Sequence, residues 1–168
     1  GKAGDRKLVC FTFDDGCRDN LAHALPIFRE FRVPFAVNIT NGFVGGTVPV
    51  WWYFLEDALT ANWRLTFRWQ GQPYDLLTDT PEARDVAYDV LAGLFRSLGS
   101  NRDDLVQCLA EATEVDPLAS TRRLSMTWDE VRQMAADPLV TIGAHTHAHH
   151  SLNQLSDAEL LVEVRDAR

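Results

Sequence analysis

Hydrophobic and polar positions change period several times along the chain. From Leu8 to Phe13 the run is apolar on both sides, with Val9, Phe11 and Phe13 on one and Leu8, Cys10 and Thr12 on the other. A strand without polar alternation is predicted to be buried on both faces, as in a parallel sheet covered by helices. The run stops at Asp14-Asp15-Gly16. Leu21, Leu25, Phe28 and Phe31 then follow at helical spacing, with Asn20 as a candidate cap. Pro26 interrupts this pattern, so the regular helix is expected to begin near it. Val33-Pro34 ends the helix, and residues 35–39 form a second short strand with Asn38 and Thr40 near its end. Strand, helix and strand over this length predict a βαβ unit with parallel pairing and a right-handed crossover.

The middle of the chain follows other periods. Asn41 to Gly46 is a glycine-rich loop without a phosphate-cradle pattern. Trp51-Trp52-Tyr53 open a helix, WWYFLEDALTA. Trp63, Leu65, Phe67 and Trp69 alternate with polar residues, and Gln70-Gly71 turns the chain into residues 72–76, which predicts a hairpin. Thr80-Pro81 is a cap with proline at the first helical position, and the helix it starts runs to Gly99. A further helix, about Arg102 to Ala112, is predicted to bury Leu105, Val106 and Leu109. Residues 45–121 are expected to form a mixed helix and hairpin insertion with its own small core, since no linker-like run sets them apart as a domain. The earlier pattern resumes with a capping box at Thr127 and Glu130, and Val131 and Met134 face inward. Pro138 stops that helix. Leu139 to Ala144 is a third strand predicted to be buried, and it ends in His145-Thr146-His147-Ala148-His149-His150. Ser156 and Glu159 make a second capping box at the head of a last helix.

Composition narrows the function. A chain of 168 residues with 46% hydrophobic content can build one domain with a real core. The net charge of -8 and a pI near 5.0 argue against nucleic acid or an anionic membrane as partner. No apolar run is long enough to span a bilayer, and the GKAGDRK start has no signal-peptide core. The compartment stays open between cytoplasm and cell envelope. Cys10, Cys17 and Cys108 form neither an even disulfide framework nor a CxxC pair. Cys10 is expected in the core, and Cys17 as a packing residue.

Two of the apolar strands end in potential metal ligands. Four of the five histidines lie between His145 and His150, and an H-x-x-x-H spacing lets two imidazoles point into one site. If Asp15, His145 and His149 hold a metal, coordination positions stay open, as in catalytic sites. Asp14 is then left beside it, able to take a proton from water that the metal has made more acidic. That combination points to hydrolysis. His147 is a weaker candidate ligand, Thr146 a local hydrogen-bonding group or a substrate contact, and His150 is expected to face outward or meet the rim. His23 is expected on the surface. Trp51 and Trp52 can stack on sugar rings or pack the insertion's core.

TFDDG at Thr12–Gly16 and H-T-x-x-H at His145–His149 resemble the first two motifs of the polysaccharide deacetylase family, the NodB homology domain. VPFAVNIT, LVTIGAHTHAHHSL and the following LSDAEL are similar to that family as well. The resemblance covers about residues 7–45 and 122–168, and the chain as a whole, 1–168, is identified as a domain of this type. It implies an α/β fold, the N-terminal part of a distorted (β/α) barrel carrying the insertion. It also implies a divalent metal, most often zinc, with cobalt, nickel or manganese as alternatives. Asp14 would be the general base and Asp15, His145 and His149 the ligands. The implied reaction removes N- or O-acetyl groups from an acetylated polysaccharide or oligosaccharide, with no further cofactor. The family's later motifs, an arginine- and proline-containing loop and a late histidine acting as acid, do not occur in these 168 residues. His150 stands where the family commonly has a hydroxyl residue. The expectation is therefore an open half-barrel lacking its C-terminal half. Its exposed apolar edge would be covered by that half or by an oligomeric partner, and the chain alone can be inactive. Three other readings compete. An amidohydrolase-type metal hydrolase would use His145-Thr146-His147 as an HxH motif. A two-histidine, one-carboxylate iron oxygenase would use the same donors. A truncated, inactive remnant would bind carbohydrate or metal without turnover.

Overall fold

Three strands pair in parallel, and they decide where the chemistry-bearing residues meet. The structure is a computed structural model that describes residues 8–167; the GKAGDRK start lies outside them. Strand β1 is short, Thr12–Phe13. A π-helical turn, Asn20–Ala24, leads into helix α1, Leu25–Phe31. Pro26 sits in the first turn of α1, where its missing N–H breaks no helical bond. Asn20 does not cap; it is buried and its amide donates to Asp19. Arg32 ends α1 in the left-handed conformation.

Strand β2, Phe35–Ile39, is the middle of the sheet. It pairs with β1 through Thr12↔Ala36 and Phe13↔Val37. On its other side it pairs with β5, Val140–Ala144, from Phe35↔Val140 to Ile39↔Ala144. Phe35, Val37 and Ile39 are all buried. The two outer strands are not buried on both faces, contrary to the expectation from their apolar runs. Leu8 is 93% exposed and Val9 76%, and Cys10 is exposed too. The reason is position. Among the described residues each outer strand has one neighbour, β1 pairs only through Thr12 and Phe13 so that Leu8 to Cys10 lie before it, and α1 covers it through Phe28 against Phe11, Phe13 and Phe35. Val140 and Ile142 likewise pack on one side, and the rest of β5 is half-buried or exposed.

After β2 the glycine-rich stretch folds as a short helix, α2, Asn41–Val44, rather than a loop. Helix α3, Trp51–Ala61, precedes the antiparallel hairpin of β3, Arg64–Trp69, and β4, Gln72–Leu77. Helix α4, Pro81–Ser97, is capped by Thr80, whose hydroxyl accepts from the Ala83 N–H. Helices α5, Arg102–Thr113, α6, Ala119–Leu124, and α7, Trp128–Ala135, follow. The capping boxes at the heads of α7 and of α8, Asp157–Arg165, form as predicted. The short helix α6 has no counterpart in the sequence expectation.

Hydrophobic burial divides into two clusters. One joins the sheet to α1 and α7 through Leu25, Val37, Ile39, Met126, Val131 and Met134. The other is drawn wholly from residues 54–109, with Phe54, Leu65, Leu91, Phe95, Leu105 and Leu109 at its centre. Among the described residues no helix is long and apolar enough to cross a membrane. Leu91 and Val90 are neighbours on α4 with opposite fates, 0% and 41% exposed. Leu91→Ala should lower the unfolding free energy by about 2–5 kcal/mol, and Val90→Ala by no more than about 0.5 kcal/mol. Urea denaturation of both checks this, and equal losses would contradict the inward face of the helix.

Candidate metal centre

The Asp14-Asp15-Gly16 turn leaves β1 sharply. The Gly16 N–H donates to the Asp14 carbonyl, and Asp15 and Gly16 both take positive φ, +70° and +79°. Aspartate tolerates the left-handed region and glycine enters it without a Cβ clash. Beyond the turn, Met126 N–H donates to the Gly16 carbonyl, and Arg18 pairs with Glu130 of α7. The turn is thus tied to the segment that caps α7.

At the end of β5 the chain folds back on itself. His145 N–H still donates to the Ile39 carbonyl, but Thr146 and His149 take φ of +65° and +58°. The loop brings His145 Nε2 to 3.8 Å and His149 Nε2 to 3.5 Å from Asp15 Oδ1. One donor atom from each of the three residues lies within 4.8 Å of the others. Zinc with ligand bonds of about 2.0–2.2 Å in a tetrahedron sets its donor atoms about 3.3–3.5 Å apart. The separations of 3.8 and 3.5 Å from Asp15 Oδ1 lie close to that span, and one carboxylate with two imidazoles is a donor set that suits such an ion. Burial lowers the His149 pKa and His145 adds to this, while Asp15 opposes it. The neutral imidazole so favoured is the form that ligates metals.

Asp14 and Asp15 have different partners. Asn38 Nδ2 donates to Asp14 Oδ1 at 2.8 Å. Gly143 makes room for that amide, since a Cβ there would lie 2.2 Å from Asn38 Oδ1. The Thr40 hydroxyl lies 2.9 Å from the His145 carbonyl and 3.4 Å from Asp15 Oδ1. Asn38 and Thr40 stand out in the sequence as polar residues at the end of an apolar strand, but that pattern does not name their partners.

The other histidines go elsewhere. His147 points its Nδ1 at Asn41 Oδ1, 2.8 Å away, and does not join the cluster. His150 corrects an expectation. It does not face outward; its side chain is 10% exposed and its Nδ1 lies 2.8 Å from Glu163 Oε1. Helix α8 packs there and presents a carboxylate that draws the ring inward. His23 is exposed. Thr146 bonds locally, its hydroxyl accepting from the His149 N–H. The Cys17 thiol is pushed up to about 11 by burial, then by Asp19 and Asp15, so it stays protonated at neutral pH.

A cleft of about 460 Å³ opens beside the cluster, lined by Asp15, His149, Trp51, Trp52, Tyr88 and Arg96 among others. Trp52 meets the His149 ring edge-on at 5.4 Å. Trp51 lies flat against Phe95 at 5.0 Å, so it faces the cleft and packs the second cluster at once.

Two buried charges near the loop had no assigned role in the sequence, Glu163 of α8 and Arg102 of α5. Burial pushes the Glu163 carboxyl up, but hydrogen bonds from His150 and from the Ala148 and His147 N–H groups outweigh it and hold the pKa at about 2. Because this lies below the ordinary 4.5, Glu163 contributes stability that is complete above that value and is lost as pH falls toward 2. Denaturation of wild type and Glu163→Gln across acid pH checks the sign. The gap between them should narrow between about pH 4.5 and pH 2; a constant gap would contradict it.

Residues 101–168 match the family model described as polysaccharide deacetylase. No curated protein and no solved structure matches the chain. The matched stretch holds His145 and His149, while Asp14 and Asp15 precede it. The match covers less than half of the chain; residues 101–168 are similar to polysaccharide deacetylases, which supports the resemblance carried by the two motifs.

Proposed function

We propose that the chain is a metal-dependent hydrolase that removes N- or O-acetyl groups from a carbohydrate. The observation that carries this reading is the convergence of Asp15, His145 and His149 from opposite edges of one sheet. The family match suggests carbohydrate deacetylase activity on its own account. In this reading the three residues hold a divalent cation. One carboxylate oxygen and two imidazole nitrogens suit zinc, and cobalt, nickel and manganese accept the same donors. The cation would supply Lewis acidity toward an acyl oxygen and toward water.

The remaining chemistry falls to this chain's own side chains. Asp14 keeps one oxygen on Asn38 and offers its carboxylate as the base that takes a proton from water. Trp51 and Trp52 present aromatic surface to a sugar in the cleft. Thr146 keeps His149 in place and is a candidate substrate contact. The parallel sheet with its helices belongs, in this reading, to a distorted (β/α) barrel in which residues 45–121 are an insertion.

Two substitutions separate the roles of the adjacent aspartates. Asp15→Ala should lose bound metal, measured by elemental analysis after gel filtration; unchanged metal content removes Asp15 from the ligand set. Asp14→Asn should keep the metal and release acetate from acetylated amino-sugar oligomers at least about 100-fold more slowly. Wild-type acetate release by Asp14→Asn would sink the assignment of the base.

A further inference from the structure

The loop that carries His145 and His149 is held almost entirely by groups outside it. Thr146 and His149 take positive φ. For a β-branched residue such as Thr146 this is a genuine outlier. Such conformations persist only where the surroundings over-determine them. Among the loop's carbonyls, His145 O accepts from Thr40 and His147 O from the Gly42 N–H. Two further anchors are buried charges. Glu163, 4% exposed, accepts from the N–H groups of His147 at 3.1 Å and Ala148 at 3.0 Å. Arg102, 5% exposed, donates from Nη2 to the Ala148 carbonyl at 2.6 Å and from Nη1 to the His149 carbonyl at 3.1 Å.

Arg102 is an unusual residue where it stands. It opens α5, and a cation in the first turn opposes the helix dipole. Among the described residues it forms no ion pair. A buried cation is costly unless its donors are used, and both of its hydrogen bonds go to consecutive carbonyls of this one loop. A planar guanidinium spans two such acceptors with a fixed geometry, which an ammonium cannot reproduce. The second of them belongs to His149 itself, the residue whose left-handed backbone aims its imidazole at Asp15.

We infer that Arg102 is a positioning residue for the metal centre: by fixing the Ala148 and His149 carbonyls, it holds His149 in the left-handed conformation that directs its ring to the other two ligands. The inference rests on the proposed metal site. It also links that site to the second hydrophobic cluster, because α5 buries Leu105 and Leu109 there. A change in how α5 packs is transmitted to His149 through one side chain.

Cobalt(II) titration of the metal-free protein tests this, with the ligand-field absorption band as the signature and chelator competition for the dissociation constant. Wild type, Arg102→Met and Arg102→Lys are compared, with circular dichroism as the check of folding. Amide exchange at residues 147–149 is followed in the metal-free state. Arg102→Met should weaken cobalt binding about tenfold or more, in the range seen for groups that orient metal ligands. Its loop amides should also exchange faster. Arg102→Lys keeps the charge without the fork and should lose affinity to a smaller extent; if Arg102→Met does not fold, this variant decides. Cobalt binding by the wild type together with wild-type affinity and exchange in a folded Arg102→Lys overturns the positioning role alone. No cobalt binding by the wild type overturns the metal-site reading, and this inference with it.

Discussion

Parallel pairing of β2 with a strand on each side is the constraint on which the rest depends. Parallel strands end on the same edge of a sheet, so the turn after β1 and the loop after β5 emerge together. They do not emerge in contact. With β2 between them the two strands are about 9–10 Å apart, twice the strand spacing. The side chains must reach across the end of β2, and the backbone turns make that reach. Asp15, Thr146 and His149 all take positive φ in these turns, and the His145 and His149 rings come within 3.8 and 3.5 Å of Asp15 Oδ1. Thr40, the residue that follows β2, stands between the two sides, with its hydroxyl near Asp15 and the His145 carbonyl.

Conformations of that kind need support, and here it comes from polar groups in unusual places. The loop after β5 has few hydrogen bonds of its own, apart from His149 N–H to Thr146. Glu163 accepts from the His147 and Ala148 N–H groups, and Arg102 donates to the Ala148 and His149 carbonyls. Both charges are buried, and each would be costly there without these bonds. The site is therefore assembled from well-separated parts of the chain: the sheet edges, α5 and α8. The second hydrophobic cluster joins them in another way, since Trp51 packs on Phe95 while Trp51 and Trp52 line the cleft beside His149.

Much of the local structure was legible in the residues. The limits of β2, the hairpin across Gln70-Gly71, the starts of α3 and α4 and both capping boxes follow from periodicity and cap chemistry. These signals act over three or four residues, so nothing distant overrides them. The three clustered donors were legible as well, because a carboxylate and two histidines each sat just past an apolar strand. Burial was less legible. Leu8 to Phe11 looks like an interior strand, yet pairing with β2 covers only Thr12–Phe13 and these four residues are exposed on both faces.

By itself, the sequence determined most of the elements and their order, and it placed a carboxylate and two histidines just past two apolar strands, since these depend on neighbours along the chain. Tertiary structure alone decided the rest. It decided which strands are edges, that His147 turns to Asn41, and that His150 is drawn inward to Glu163. It also enlisted Asn38, Arg102 and Glu163, which lie between 13 and 47 residues from the partners they hold. The physical reason is the same in each case. Where a side chain points at a strand end depends on the sign of the backbone φ and on which distant polar group meets it, and no periodic pattern carries either.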